Sequence, residues 1–198
     1  MNKNVGAYYI RLLMKKGRIL FAPMALLLSS CANNISQFSI PDKVEFQGQR
    51  YVKITDNQLD DMQHLLYLPE NSTKNAEDWD KGILFFLDKN SKGQTLEQRL
   101  AFRQSSFAKQ PNVATEFGIW QNELQSQIIY PPTERFQNIM FEVTRGRDLA
   151  CGYGQLQFSD KRAVNKIAKK SENLTAYTDE MIKLALAFNQ MRWQIECR

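Results

Sequence analysis

The stretch Ile139-Met140-Phe141-Glu142-Val143-Thr144 alternates the apolar residues Ile139, Phe141 and Val143 with Met140, Glu142 and Thr144. The segment from Leu149 to Phe158 has a similar alternation and is predicted to be the returning strand. Alternation with a period of two is typical of a strand that buries one face. The intervening residues 145–148 are of turn-forming type, so the sequence predicts a β-hairpin with its tip there. Gly152 and Gly154 fall inside the second strand, where glycine indicates a bulge or a neighbour close to the backbone.

Shorter signals extend this pattern toward the N-terminus. The continuous apolar run Ile83–Leu87 predicts a buried central strand. Val44–Phe46 and Tyr51–Ile54 flank a glycine-containing turn and predict a second hairpin. Leu59–His64 is interpreted as a short helix, and the polar residues 70–81 as a surface loop.

Two further helices are predicted. Thr95 and Gln98 have the spacing of a capping box, which indicates that a helix begins there. Thr178 can cap a last helix, in which Met181 and Leu184 follow helical spacing. Hairpins accompanied by two or three helices predict an α+β fold, a single domain built on an antiparallel sheet.

The positive charge of the chain is concentrated near its N-terminus. The full chain has 26 Lys+Arg against 21 Asp+Glu, a formal net charge of +5. Residues 1–30 contain no acid and five bases, namely Lys3, Arg11, Lys15, Lys16 and Arg18. Without these five, 21 basic residues balance 21 acidic ones. Nucleic-acid-binding domains are usually basic, so we predict no nucleic-acid partner.

The residues before Cys31 have the order of an export signal. Lys15, Lys16 and Arg18 precede the apolar run 19–28, which small residues follow. The run is too short to span a membrane and has the length of a signal-peptide core. Met14 is an alternative start, in which case residues 1–13 are not translated.

Leu28-Ser29-Ser30-Cys31 resembles the lipobox of bacterial lipoprotein precursors, an aliphatic residue and two small residues before cysteine. The resemblance implies that residues 1–30 are a signal peptide and that Cys31 is lipidated, with an acyl chain such as palmitate. The polar residues that follow Cys31 predict a lipidated tether over 31–42, and the remaining residues 43–198 are expected to form a globular periplasmic domain. Because Ala32 follows the cysteine, the resemblance implies attachment to the outer membrane. We take the inner leaflet as the site of attachment, so that the domain is expected to face the periplasm.

The other two cysteines, Cys151 and Cys197, form an even pair in a compartment that permits disulfides. We predict that they form a disulfide bond that clamps the C-terminal helix. Two free buried thiols are the alternative, although the position of Cys197 near the chain end favours the bridge.

No motif specifies a reaction, a metal or a cofactor. Asp88 begins a stretch similar to a calcium loop, but Lys92 and Arg99 occupy positions where calcium needs oxygen ligands. The hypothesis of a cell-envelope hydrolase is based on His64 together with the acids Glu77, Asp78 and Asp80. The other interpretation of these acids is a solvated surface.

A possible binding surface is assigned to the aromatic and basic residues Trp79, Arg145, Arg147 and Tyr153. A basic patch comprises Lys161, Arg162, Lys166, Lys169 and Lys170, which is either a partner or lipid contact or a solvated face. The leading prediction is a lipid-anchored, non-enzymatic protein whose periplasmic domain binds another envelope protein. The alternatives are an immunity lipoprotein against a toxin, a cell-envelope hydrolase, and a ligand-binding or transporter-accessory lipoprotein.

Overall fold

A computed structural model of the chain describes residues 37–110, 112–164 and 174–198. The predicted signal peptide, the lipobox and Cys31 lie outside these residues, as do Lys166, Lys169 and Lys170. Within the described ranges, no helix is long and apolar enough to cross a membrane.

Eight strands form one antiparallel sheet, which confirms the predicted α+β class with an antiparallel sheet. They are β2 (Lys43–Phe46), β3 (Gln49–Leu59), β4 (Met62–Pro69), β5 (Lys81–Asp88), β6 (Ala114–Trp120), β7 (Glu123–Tyr130), β8 (Asn138–Leu149) and β9 (Gly152–Ala163). Their spatial order is β2-β3-β4-β5-β9-β8-β7-β6, so the apolar strand β5 is central, as predicted. The short strands β1 (Phe38–Ser39) and β10 (Glu196–Cys197) pair separately.

The main core lies between one face of this sheet and the helix α2 (Thr178–Gln190). Phe46 of β2 contacts Phe188 of α2, with ring centroids 5.5 Å apart, and Phe158 of β9 at 4.9 Å. Ile129 of β7 joins the same core from the other end of the strand order. Because strands from both ends of the sheet reach this helix, the sheet is curled around it.

The helix α1 (Leu96–Phe107) lies on the opposite face, against β6 and β7. The predicted capping box is confirmed, since Thr95 accepts from the Gln98 amide and the Gln98 side chain accepts from the Thr95 amide. Leu96 is the buried residue of this helix. For α2 the predicted cap is wrong by one position, because Tyr177 occupies the N-cap position and Thr178 is the first helical residue.

Two other local predictions are wrong. Leu59–His64 is not a helix, because a tight turn at Asp60 joins β3 directly to β4 and pairs Leu59 with Met62. Residues 145–148 are not a hairpin tip, because both strands continue until Leu149 pairs with Gly152. Strand pairing and contacts with α2 outweigh the turn propensity of residues 145–148.

The glycine at the real tip is required by its surroundings. Gly152 has a φ of +131°, and a Cβ there would lie 2.1 Å from the Asp88 carbonyl oxygen. A Cβ at Gly154 would lie 2.8 Å from the Ile195 side chain. Both positions therefore meet a close neighbour, which confirms the reason predicted for these glycines.

The two ends of the body meet beside the disulfide. Cys151 and Cys197 are bonded, with Cα atoms 5.6 Å apart, which confirms the predicted pair. The bond does not clamp the C-terminal helix as predicted, because α2 ends at Gln190 and Cys197 lies in β10. Phe38 of β1 pairs with Cys197, and Gln37 and Arg198 exchange two backbone hydrogen bonds of 2.9 Å. The body was predicted to begin at residue 43, whereas the structure pairs residues 38–39 of the predicted tether with the C-terminal strand.

Candidate functional site

A groove of about 520 Å³ lies between α1 and the strands β4, β5 and β9. We call it the α1 groove. Its edges carry large apolar side chains that face solvent, with Phe102 of α1 73% exposed and Met62 of β4 56% exposed. Phe86 and Phe107 also line the groove.

The floor of the α1 groove is polar, which is unusual for a sheet face covered by a helix. Gln155 and Gln157 on β9 line the groove, and the strand register places Thr144 opposite Gln157 and Ser126 opposite Thr144. Ser126, Thr144 and Gln155 are buried. Each of them therefore needs a hydrogen-bond partner.

Arg103 of α1 supplies those partners. Its guanidinium donates to Ser126 Oγ at 2.8 Å, to Thr144 Oγ1 at 3.0 Å and to Gln155 Oε1 at 2.8 Å. These bonds connect α1 to strands β7, β8 and β9. They fix the guanidinium at the floor of the α1 groove.

Arg99, one helical turn before Arg103, has a different environment. It donates to Asp88 at 2.7 Å and to Asn90 at 2.9 Å, and its guanidinium lies 4.1 Å from the centroid of the Tyr153 ring. Burial raises the pKa of Tyr153 to about 12, so its hydroxyl stays protonated and donates to Gln155 at 3.2 Å. Because Asp88 is paired with Arg99, the calcium-like turn has no free carboxylate at this position.

Glu142 is a buried carboxyl group beside this polar floor. Its Oε2 accepts from the Tyr130 hydroxyl at 3.3 Å and from the Gln157 amide at 3.1 Å. Burial raises the pKa of Glu142 above its usual range, and the charge of Arg103 opposes that rise. The folded protein therefore binds a proton at Glu142 more tightly than the unfolded chain does.

Glu142→Gln should raise the melting temperature at pH 8 by about 2–4 °C. Above the unfolded pKa of about 4.3, the raised folded pKa makes stability fall as pH rises, and the amide removes this penalty. Glutamine keeps an oxygen that can accept both hydrogen bonds. Thermal melts at pH 8 and pH 3.5 measure the effect, which should vanish at the lower pH. Glu116→Gln on exposed β6 is the control, and a lower melting temperature for Glu142→Gln at pH 8 would contradict the expectation.

The structure places the four residues predicted as a possible binding surface in different surroundings. Tyr153 lines the α1 groove, whereas Arg145 pairs with Leu156 and points to the α2 side of the sheet. Trp79 lies in the 70–80 loop, where its ring contacts the Lys161 ammonium 3.7 Å away. Arg147 stacks 4.2 Å from the centroid of the Trp193 ring.

Arg145 is a structural residue in this fold. It is 8% exposed and makes bonds of 2.8 and 2.9 Å to both carboxylate oxygens of Glu123. Its remaining terminal nitrogen donates to three carbonyl oxygens at the end of α2, those of Phe188, Asn189 and Met191. It was assigned to a surface because residues 145–148 were interpreted as a tip.

The residues considered for hydrolysis are not joined by any hydrogen bond or ion pair in the part of the chain that the structure describes. His64 stacks on Phe86 with ring centroids 4.5 Å apart, and burial lowers its pKa. Glu77, Asp78 and Asp80 are exposed. Residues 37–110, 112–164 and 174–198 contain no cluster of three side chains suited to hold a metal ion.

The basic patch is only partly described. Lys161 contacts Trp79, and Arg162 pairs with Asp160 at 2.9 Å and with Glu180. These two residues lie in β9.

The sequence interpretation missed Arg103, Gln155 and Gln157. The sequence does contain a signal for Arg103, because Arg99, Arg103 and Phe107 recur every four residues and so share one face of α1. Gln155 and Gln157 alternate along β9, but alternating polar residues more often indicate a solvent-facing side.

Comparisons with known proteins identify a family and a relative. The chain is similar to an uncharacterized protein of Haemophilus influenzae, with 26% identity over 189 residues that cover 87% of this chain and 94% of the relative. No solved structure gives a significant match. A protein-family model matches residues 38–193, a range that begins at β1 and ends just before β10. The chain therefore belongs to the protein family that this model defines.

Proposed function

We propose that this protein is a lipid-anchored protein of the bacterial cell envelope whose domain binds another protein, without catalysis. The observation that carries the proposal is the α1 groove, where exposed Phe102 and Met62 flank a polar floor. Exposed apolar side chains grouped around a groove are typical of interaction sites. A partner that covers them would remove apolar surface from water, which favours binding by roughly 25 cal/mol for each Å² that is covered.

The α1 groove is also held in shape before any partner arrives. Arg103 bonds to three strands, and the Arg99–Asp88 ion pair attaches α1 to the end of β5. A surface that is ordered in advance loses less conformational freedom on binding. These contacts favour a binding surface over a segment that orders only in the complex.

The proposed location depends on the sequence near Cys31. The lipobox resemblance supports a lipid on Cys31, and two or more acyl chains hold a protein stably on a membrane. An anchored domain meets membrane partners at high effective concentration, which favours an interaction role in the envelope. Attachment to the outer membrane follows from the Ala32 rule of the resemblance and is part of the proposal.

A small-molecule ligand is the second candidate, because the α1 groove has a volume within the range of ligand sites and Tyr153 lines it. The two candidates differ in the size of what they cover. A partner protein should protect Phe102, Met62 and Leu59 together, since Leu59 is exposed at the tip of the β3–β4 hairpin. A small ligand would leave Leu59 accessible.

Cys31→Ala should abolish incorporation of radiolabelled palmitate into the protein. The alanine lacks the sulfur to which the first lipid is attached, so later acylation has no substrate. Ser30→Ala keeps a small residue before the cysteine and is the matched control, which should stay labelled. Labelling of Cys31→Ala at the wild-type level would contradict the anchor.

The protein-binding function is tested by cross-linking in intact cells followed by purification from solubilised membranes. Phe102→Ser with Met62→Ser should eliminate a cross-linked complex that the wild-type protein forms. Leu186→Ser is the matched control, because Leu186 is also exposed, at 57%, but lies on α2. The proposal would be overturned if the cross-linked complex survives the double change. It would also be overturned if the wild-type protein forms no cross-linked complex.

A further inference from the structure

Arg103 differs from the other arginines that are not fully exposed. Arg99, Arg145, Arg147 and Arg162 each have a carboxylate within 4.0 Å. The three hydrogen bonds of Arg103 go to two hydroxyls and an amide, which are neutral. Among the described residues, Arg103 is thus the one half-buried guanidinium without an ion pair.

The nearby Glu142 does not neutralise this charge by direct contact. Its carboxyl oxygen accepts from Tyr130 and Gln157, and its pKa is raised by burial. A guanidinium is always protonated at physiological pH. The floor of the α1 groove therefore carries a fixed positive charge.

Arg103 still has donors to offer. A guanidinium has five N–H donors, and the three bonds to the sheet use three of them. The Nε atoms of Arg99 and Arg147 are fully buried and have no hydrogen-bond partner. The Nε atom of Arg103 is not one of these buried, unpaired atoms. An oxygen anion that enters the α1 groove can thus reach a guanidinium that the sheet already orients.

We infer that the α1 groove binds an acidic segment of the partner protein, in which a carboxylate pairs with Arg103 and an adjacent large apolar side chain packs against Phe102 and Met62. This inference rests on the proposed protein-binding function and names the chemistry of the partner. Charge complementarity selects the carboxylate, and the apolar edges select its neighbour. A free small carboxylate would satisfy Arg103 alone and leave both edges exposed.

The test uses the lipid-bearing full chain in detergent to select from a phage-displayed random peptide library. Selected peptides should be enriched in Asp or Glu next to Phe, Leu, Trp or Met. One selected peptide, labelled with fluorescein, is then compared with its Asp→Asn version by fluorescence anisotropy. With the wild-type protein, this peptide change should weaken binding about tenfold, as close charge pairs at interfaces do.

Variants separate the role of Arg103 from general damage. With Arg103→Met, the acidic and amidated peptides should bind equally, whereas Arg103→Lys keeps the charge and should retain some preference for the acid. Circular dichroism melts show whether each variant is folded. Leu186→Ser should bind both peptides as the wild-type protein does.

The outcomes distinguish the inference from the proposed function. Peptides that need Phe102 but show no acidic preference, or no dependence on Arg103, overturn the inference and leave protein binding standing. If no peptide is found whose binding is weakened by Phe102→Ser, both the inference and the proposed protein-binding function are overturned. Arg103-dependent binding to phosphatidylglycerol vesicles without peptide binding would also overturn the inference, because it assigns the charge to lipid.

Discussion

Arg145→Met should lower the free energy of unfolding by about 3–5 kcal/mol, the usual cost of breaking a buried ion pair on one side. Arg145 and Glu123 are 8% and 7% exposed, so the change leaves a carboxylate without its partner in a place that water hardly reaches. It also removes the donor to three carbonyl oxygens at the end of α2. Urea denaturation followed by circular dichroism measures the loss.

A double-mutant cycle supplies the control for this expectation. Arg145→Met combined with Glu123→Met removes both charges, so it should be less destabilising than the sum of the two single changes. Arg147→Met removes a weaker, half-exposed contact at 3.7 Å from Glu123 and should cost less than about 1 kcal/mol. A loss below about 1 kcal/mol for Arg145→Met would show that Glu123 is solvated and that α2 needs no clamp.

Replacing both Cys151 and Cys197 with serine should lower the free energy of unfolding by about 4 kcal/mol. The chain-entropy account gives this value for a bridge between residues separated by 46 positions. The double change avoids leaving one reactive thiol. Beyond the global loss, the β1–β10 pair should exchange its amide hydrogens faster, because the disulfide holds β10 against the β8–β9 tip.

Reduction of the wild-type protein provides the comparison for the disulfide. Dithiothreitol should destabilise the wild-type protein by a similar amount and leave the double-serine variant unchanged. Hydrogen exchange at Gln37 and Arg198 measures the local effect, since their amides bond to each other's carbonyls. Unchanged exchange at these two amides in the double-serine variant would contradict the local role of the bridge.

Most of the sheet could be predicted because its main core depends on local alternation. Ile139, Phe141 and Val143 are all buried against α2, as the period of two indicates. The failure at residues 145–148 has a tertiary cause. Arg145 finds Glu123, 22 residues away, and the end of α2, more than 40 residues away. No short window of sequence contains those partners. Seen without them, the charged residues at 145–148 indicate a surface turn.

The α1 groove was unpredictable for a related reason. Ser126, Thr144 and Gln155 have the polar character of a solvent-facing sheet surface, yet they are buried. They are buried because Arg103, which is 23 to 52 residues distant in sequence, satisfies them. Sequence patterns report polarity, whereas the burial of a polar group depends on a partner that only the folded chain brings near.

The pairing of Gln37 with Arg198 has a practical consequence for experiments in cells. Whatever precedes Gln37 and whatever is fused after Arg198 must leave the body at the same pole. A fluorescent reporter joined to Arg198 would therefore mark the position of Gln37, whichever way the rest of the body turns. Energy transfer from that reporter to a lipid dye would measure how near this pole is to the bilayer.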